Sequence, residues 1–214
     1  MRRESGNNNV TLIGKIVEDF EYSHTVLEEK FYKTKFFVMR SSGTSDIVPL
    51  IVSEKLVDED LSYTNREIRI EGQVRTYNKI VEDKNKLFLA VFVKWLDFVA
   101  EGKVEDDVIT KNNEIILDGY LCKDAIYRKT PFGKEISDVI VAVNRPYRKT
   151  DYIPCICWGC NALWVSRLEV GTHVKIVGRI QSREYIKKLS DTESETRVAY
   201  EVSVERLIKV SDDN

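Results

Sequence analysis

The chain is poor in cysteine and histidine, lacks a long apolar run and lacks an excess of positive charge. Each shortage removes a class of protein. Four cysteines among 214 residues, Cys122, Cys155, Cys157 and Cys160, are too few and too unevenly placed for a disulfide framework, so reduced thiols are expected. Three of them form Cys155-x-Cys157-x-x-Cys160, and thiolates do favour tetrahedral zinc. That cluster has no evident fourth ligand, so the thiols read as small apolar fillers along a strand and the turn after it, and no metal or cofactor is expected. The two histidines, His24 and His173, have no neighbouring nucleophile or carboxylate pattern of the kind a catalytic triad needs. There is no Gly-rich phosphate loop of the Walker type, and the acidic runs 58–60 and 105–107 read as solvated loops. No catalytic residue is assigned. No segment approaches the roughly 18 apolar residues of a membrane span, and the polar start 1–6 is unlike a signal peptide. A cytoplasmic protein with no membrane partner is expected.

Net charge is −2, from 33 Lys and Arg against 35 Asp and Glu, which taken alone argues against a polyanionic partner. The distribution is uneven. Residues 112–210 hold 16 basic against 13 acidic side chains, and the remainder holds 17 against 22. A basic groove, if one exists, belongs to the second half.

What the sequence does have is an internal repeat. At an offset of 105, Gly14 falls on Gly119, Val38 on Val143, Arg40 on Arg145, Asp46 on Asp151, Pro49 on Pro154 and Ile51 on Ile156. After one inserted residue the match resumes at 106, pairing Gly72 with Gly178, Val74 with Ile180 and Thr76 with Ser182. Between the copies the segment 100–112 is polar, acidic and without apolar periodicity, as a linker should be. The domains are therefore read as 1–99 and 113–210.

Within each copy apolar residues alternate with period two, the pattern of half-buried strands. Val139, Val141 and Val143 share one face, as do Val174, Ile176 and Ile180. The second copy predicts five strands near 113–122, 135–145, 151–158, 171–188 and 196–210. A short helix over 161–168 between the third and fourth strands follows from apolar spacings of three and four, with Trp164 expected in the core. Five strands with a helix between the third and fourth is the order of an OB barrel, so the fold class is all-β, two tandem five-stranded OB-fold barrels. Gly14, Gly119, Gly72 and Gly178 sit inside strands, where a missing side chain permits a bend or close backbone approach.

On these residues the second copy resembles the bacterial single-stranded-DNA-binding protein family across nearly all of 113–208. The matching runs are 130–134 as a hairpin turn, 141–145, 151–159, 177–183 with Tyr185, and 200–202. The first copy is similar but degenerate, keeping 12–15, 36–40 and 70–76 without the aromatic positions. The resemblance implies sequence-independent binding of single-stranded DNA in replication, repair or recombination, with a nucleoid-associated location in the cytoplasm. Such binding needs exposed rings spaced along a basic groove, because single strands offer flat base faces and a charged backbone. The family's stacking positions fall on Tyr147, Tyr152, Trp158 and Tyr185; in the first copy they fall on Ser42, Ile47, Ser53 and Lys79, none of which can stack. Trp95 is assigned to packing. Arg145, Arg148, Lys149, Arg179, Arg183, Lys187 and Lys188 flank the rings and are the candidates for phosphate contact.

Two other functions stay open at this point: an accessory module assembling with replication or repair proteins, and a single-stranded-RNA binder, since stacking does not distinguish the two polymers. The acidic tail with a terminal Pro-Phe pair that usually follows the family's barrel is not present here. Family members with one barrel per chain typically act as four-barrel assemblies, so a homodimer of two-barrel chains is expected. The competing arrangement is two barrels of one chain pairing with each other as a monomer.

Overall fold

A computed structural model describes residues 6–58, 60–81, 84–99, 112–188 and 193–211. The expected linker, 100–112, lies outside these residues apart from Asn112. Twelve strands follow in order: β1 Asn8–Ile16, β2 Glu21–Val26, β3 Glu29–Met39, β4 Ser45–Ser53, β5 Glu67–Val81, β6 Lys84–Phe98, β7 Asn113–Leu121, β8 Ile126–Lys129, β9 Glu135–Arg145, β10 Lys149–Trp158, β11 His173–Lys188 and β12 Ser194–Lys209. A helix, α1 Cys160–Val165, stands between β10 and β11, and in the first copy a single 3-10 turn, Glu54–Leu56, takes its place. No described helix is long and apolar enough to cross a membrane.

Each copy thus has one strand more than the five expected. The extra ones, β2 and β8, pair only with β3 and β9. Every residue of β8 is exposed, so its period is invisible to a reading based on burial. The turn after β8 is closed by the Gly133 amide donating to the Thr130 carbonyl at 2.8 Å, with Gly133 at φ 76°. Elsewhere alternation places the core as expected: Leu12, Phe36, Leu50 and Ile70 fill one barrel, Leu117, Val141, Ile153 and Ile176 the other, all fully buried. Each such side chain contributes about 1.5–3 kcal/mol of transfer free energy. Gly72 and Gly178 sit at the register shifts that bend the long hairpins. A Cβ on Gly178 would lie 2.2 Å from the Ser203 carbonyl oxygen, a contact no side chain permits, so the close approach needs glycine.

Two tryptophans depart from expectation. Trp164 is more than a third exposed, because α1 spans only six residues and turns Ala162 and Val165 inward, leaving the residue between them aimed away. Trp95, beyond the register shift of β6, is likewise more than a third exposed rather than packed.

The two barrels pair with each other within the chain. β1 and β7 run antiparallel with Val10 opposite Ile115. The repeat maps Val10 onto Ile115, so this ladder is its own image and a local two-fold axis passes through it. The bonds around it come in matched pairs: Ile13 N–H to the Asn112 carbonyl and Asp118 N–H to the Asn7 carbonyl, both 2.8 Å. The repeated aspartates complete the symmetry. Asp46, fully buried, accepts the Ser182 amide at 2.7 Å and the guanidinium of Arg40 at 2.5 and 2.6 Å. Its counterpart Asp151, also fully buried, accepts the Thr76 amide at 2.8 Å and Arg75 at 3.0 Å. Each carboxylate therefore reaches from one barrel to the long strand β5 or β11 of the other. A buried charge so paired is costly to break, which makes these contacts the lock on the mutual placement of the barrels.

Candidate nucleic-acid interface

Along β10 the odd residues Asp151, Ile153, Cys155 and Cys157 are buried, which turns the side chains of Tyr152 and Trp158 to the other face. These rings are 49% and 40% exposed, values no core ring would have. The Trp158 indole N–H donates to the Ser203 hydroxyl at 3.2 Å, fixing the ring against β12. The Tyr152 backbone N–H donates to the Thr76 hydroxyl of the first copy at 2.9 Å, so the second barrel's tyrosine is positioned by the first barrel. Tyr185, 38% exposed on β11, has the Arg183 guanidinium 5.9 Å from its ring centroid. Tyr147 projects from the turn Pro146–Arg148, is 94% exposed and has φ 62°, with Arg148 next to it at φ 56°. Two consecutive non-glycine residues in the left-handed region store strain of order 1–3 kcal/mol each.

The cations divide by how far their charge is already met. Arg145 Nε lies 3.2 Å from an Asp151 oxygen, an ion pair without hydrogen-bond alignment. Arg183 reaches Glu201 at 3.5 Å, and that buried carboxylate also accepts the Gln181 amide at 2.8 Å. Arg179 Nε is buried and has no hydrogen-bond acceptor among the described residues. Arg148 and Lys149 stand exposed beside Tyr147, while Lys187 and Lys188 lie near the end of the β11 arm. What this surface offers chemically is stacking and charge. The thiols do not converge: Cys155 and Cys157 point into the core, whereas Cys160 is exposed. Burial pushes the Cys157 thiol up to about 12 and that of Cys155 well above its ordinary value.

In the first copy Ser42, Ile47, Ser53 and Lys79 occupy the equivalent strand positions and supply no ring. The aromatics there are displaced rather than lost. Tyr77 and Phe88 face each other across β5 and β6, with ring centroids 5.4 Å apart and planes within 12°. Tyr77 is half exposed. Sequence reasoning missed this pair because it searched only positions aligned with the second copy. The signal was the alternation Arg75, Tyr77, Lys79, which repeats the outward series Arg183, Tyr185, Lys187 one step out of register.

Residues 112–208 match the model of the Single-strand binding protein family. A single-stranded DNA-binding protein of Halalkalibacterium halodurans is 36% identical over 80 residues, covering 34% of this chain and 48% of that protein. Single-stranded DNA-binding protein 3 of Streptococcus agalactiae is 36% identical over 83 residues, covering 34% and 58%. The chain thus spans about half the length of the curated relatives it matches. Among solved structures, wild-type single-stranded DNA binding protein from Thermus aquaticus superposes with a TM-score of 0.74 at 21% identity, over 98% of this chain and 95% of that one. At that identity the likeness establishes the fold, and it extends over both barrels.

Proposed function

We propose, from the match of residues 112–208 to the single-strand binding protein family, that the chain binds single-stranded DNA without regard to sequence, as a binding protein and not an enzyme, and serves replication, repair or recombination. The observation that carries this reading is the exposure of all four expected stacking rings, Tyr147, Tyr152, Trp158 and Tyr185, between 38% and 94%, on a barrel whose neighbouring strand positions are buried. Each ring takes a base face, a contact worth on the order of 1–3 kcal/mol whatever the base. Arg179, Arg183, Arg148, Lys149 and Lys187 meet phosphates; Arg145 acts mainly through Asp151. A fluorescent oligo-dT titration at several salt concentrations tests it. Binding should weaken as salt rises, with log K falling by about 0.7 per phosphate contact for each unit of log salt; an oligo-U arm reports whether RNA is bound equally.

The division of the chain into barrels 1–99 and 113–210 belongs to the same proposal, as does assembly into a homodimer of four barrels. In support, the in-chain pairing through β1 and β7 leaves β2 and β8 at the two ends of the strand order, and open edges invite a cover. Two-fold closure is the commonest symmetry for soluble chains.

A further inference from the structure

The two halves of the repeat hold their buried aspartates with arginines from different places. Asp46 is gripped by Arg40 of its own barrel, through Nε at 2.6 Å and Nη2 at 2.5 Å. The repeat maps Arg40 onto Arg145, yet Arg145 makes no aligned hydrogen bond to Asp151. Arg75 of the opposite barrel donates to that carboxylate instead, at 3.0 Å. We propose that Arg75, on the barrel without the stacking positions, is a positioning residue for the single-strand site of the other: by holding Asp151 it sets the start of β10 and with it the ring of Tyr152. The inference rests on the proposed function and deepens it, giving the degenerate barrel a part in the site that needs no contact with the bound strand.

Four observations support it. First, the crossing arginine stands on one side only. At the repeat's offset of 106 the equivalent of Arg75 is Gln181, which donates to Glu201 of its own barrel at 2.8 Å, so that position sends no arginine across to Asp46. Second, the bonds form a closed set on two residues of each strand. The Thr76 N–H donates to Asp151 at 2.8 Å, the Tyr152 N–H donates to the Thr76 hydroxyl at 2.9 Å, and Arg75 Nη1 spans to the same carboxylate. Asp151 is fully buried, where a charge-assisted bond is strong and its loss costly. Third, the guanidinium is itself aimed: Gln73, also on β5, accepts from Nη2, which leaves Nη1 for Asp151. Fourth, Arg75 is kept against a charge penalty. Burial and the Arg75 charge together hold the Lys94 ammonium below its ordinary value, and the carboxylate that offsets this crowding is Asp151, across the barrel interface. The Tyr152 ring is 49% exposed, so packing alone holds it loosely. Fixing its strand before the ligand arrives removes part of the ordering cost of binding.

The test is a double-mutant cycle on the full chain, read by oligo-dT titration at several salt concentrations with melting temperatures recorded in parallel. Its members are Arg75→Gln, which installs the side chain that the repeat carries at 181, Tyr152→Ala, and the two combined. Arg75→Gln should weaken binding, by no more than the roughly 5- to 100-fold that loss of one stacked base costs. It should leave the salt slope unchanged, because Arg75 meets no phosphate. The combined variant should bind no more weakly than Tyr152→Ala alone, the non-additivity expected when one residue acts through another. A general loss of stability would add instead. Arg40→Gln, which breaks the equivalent pair at Asp46, should add fully to Tyr152→Ala. Thr76→Val removes the hydroxyl that accepts the Tyr152 amide and should show the same coupling as Arg75→Gln, so it decides the matter should Arg75→Gln fail to fold. Suppose the unsubstituted chain binds, but Arg75→Gln matches it, adds fully to Tyr152→Ala or lowers the salt slope, or Arg40→Gln proves equally non-additive. Arg75 then does not position the ring, although the proposed function stands. If Tyr152→Ala alone costs no affinity there is no ring contact to position, and the inference fails with it. If the unsubstituted chain does not bind oligo-dT, the proposed function itself fails, and this inference too.

Discussion

A tyrosine with 94% of its surface in water and a left-handed backbone gains almost nothing from packing, so its removal separates binding from stability more cleanly than any other change. Tyr147→Ala should weaken oligo-dT binding by about 1–3 kcal/mol and leave the melting temperature unchanged, as read by titration and thermal unfolding of the same preparation. Trp158 is harder to interpret when truncated, because its indole is more than half buried and bonded to Ser203. Trp158→Phe, which keeps a stacking face, should retain more affinity than Trp158→Ala at similar stability. The thiols give a third check. With Cys155 and Cys157 buried and their thiols pushed far above the ordinary value by burial, neither forms thiolate near pH 8, and thiolate is the reactive form. A thiol reagent at that pH should therefore label exposed Cys160 first, half-buried Cys122 slowly and the other two only after unfolding, which peptide mass mapping would resolve. Rapid labelling of Cys157 in the native protein would show that β10 is not packed as described.

At the scale of elements, the strands that build the cores were legible because burial and sequence share one period. Val139, Val141 and Val143 all face inward, and the expected strand ends fall within about two residues of those observed. Three features were not legible. The outer strands β2 and β8 carry no apolar alternation to detect. The exposure of Trp164 depends on how short α1 is. The function of the repeated aspartates emerges only once two barrels face each other: Asp46 and Asp151 look like surface residues until Ser182 and Thr76 of the opposite copies are brought against them. Their loss is informative. Asp46→Ala and Asp151→Ala each leave buried hydrogen-bond donors and an arginine unpaired, and should each cost about 3 kcal/mol in urea unfolding. Both should also weaken binding: Asp151→Ala by releasing the Thr76 segment that positions Tyr152, and Asp46→Ala by releasing Ser182, which adjoins Arg183 on β11. Loss of stability without any loss of affinity in either variant would mean that these carboxylates do not position the binding face.

At the scale of the whole molecule, the proposed binding of a polyanion by a chain of net charge −2 rests on charge sorted by place: acidic residues predominate outside 112–210, and cations gather beside rings. The local two-fold axis at Val10 and Ile115 means that one chain already contains a paired set of barrels, and the proposed homodimer would double it to four. Light scattering at micromolar concentration should return the mass of two chains, whereas a single-chain mass unchanged by dilution or by added oligonucleotide would remove that assembly and leave the in-chain pair as the working unit. The central claim is the preference for unpaired strands, and one titration tests it most directly: oligo-dT against a duplex of equal length at about 0.15 M salt, where screening weakens contacts made by charge alone. The account predicts much tighter binding of the single strand, since stacked base pairs hide their faces from Tyr147, Tyr152, Trp158 and Tyr185; equal affinity for the two would contradict it.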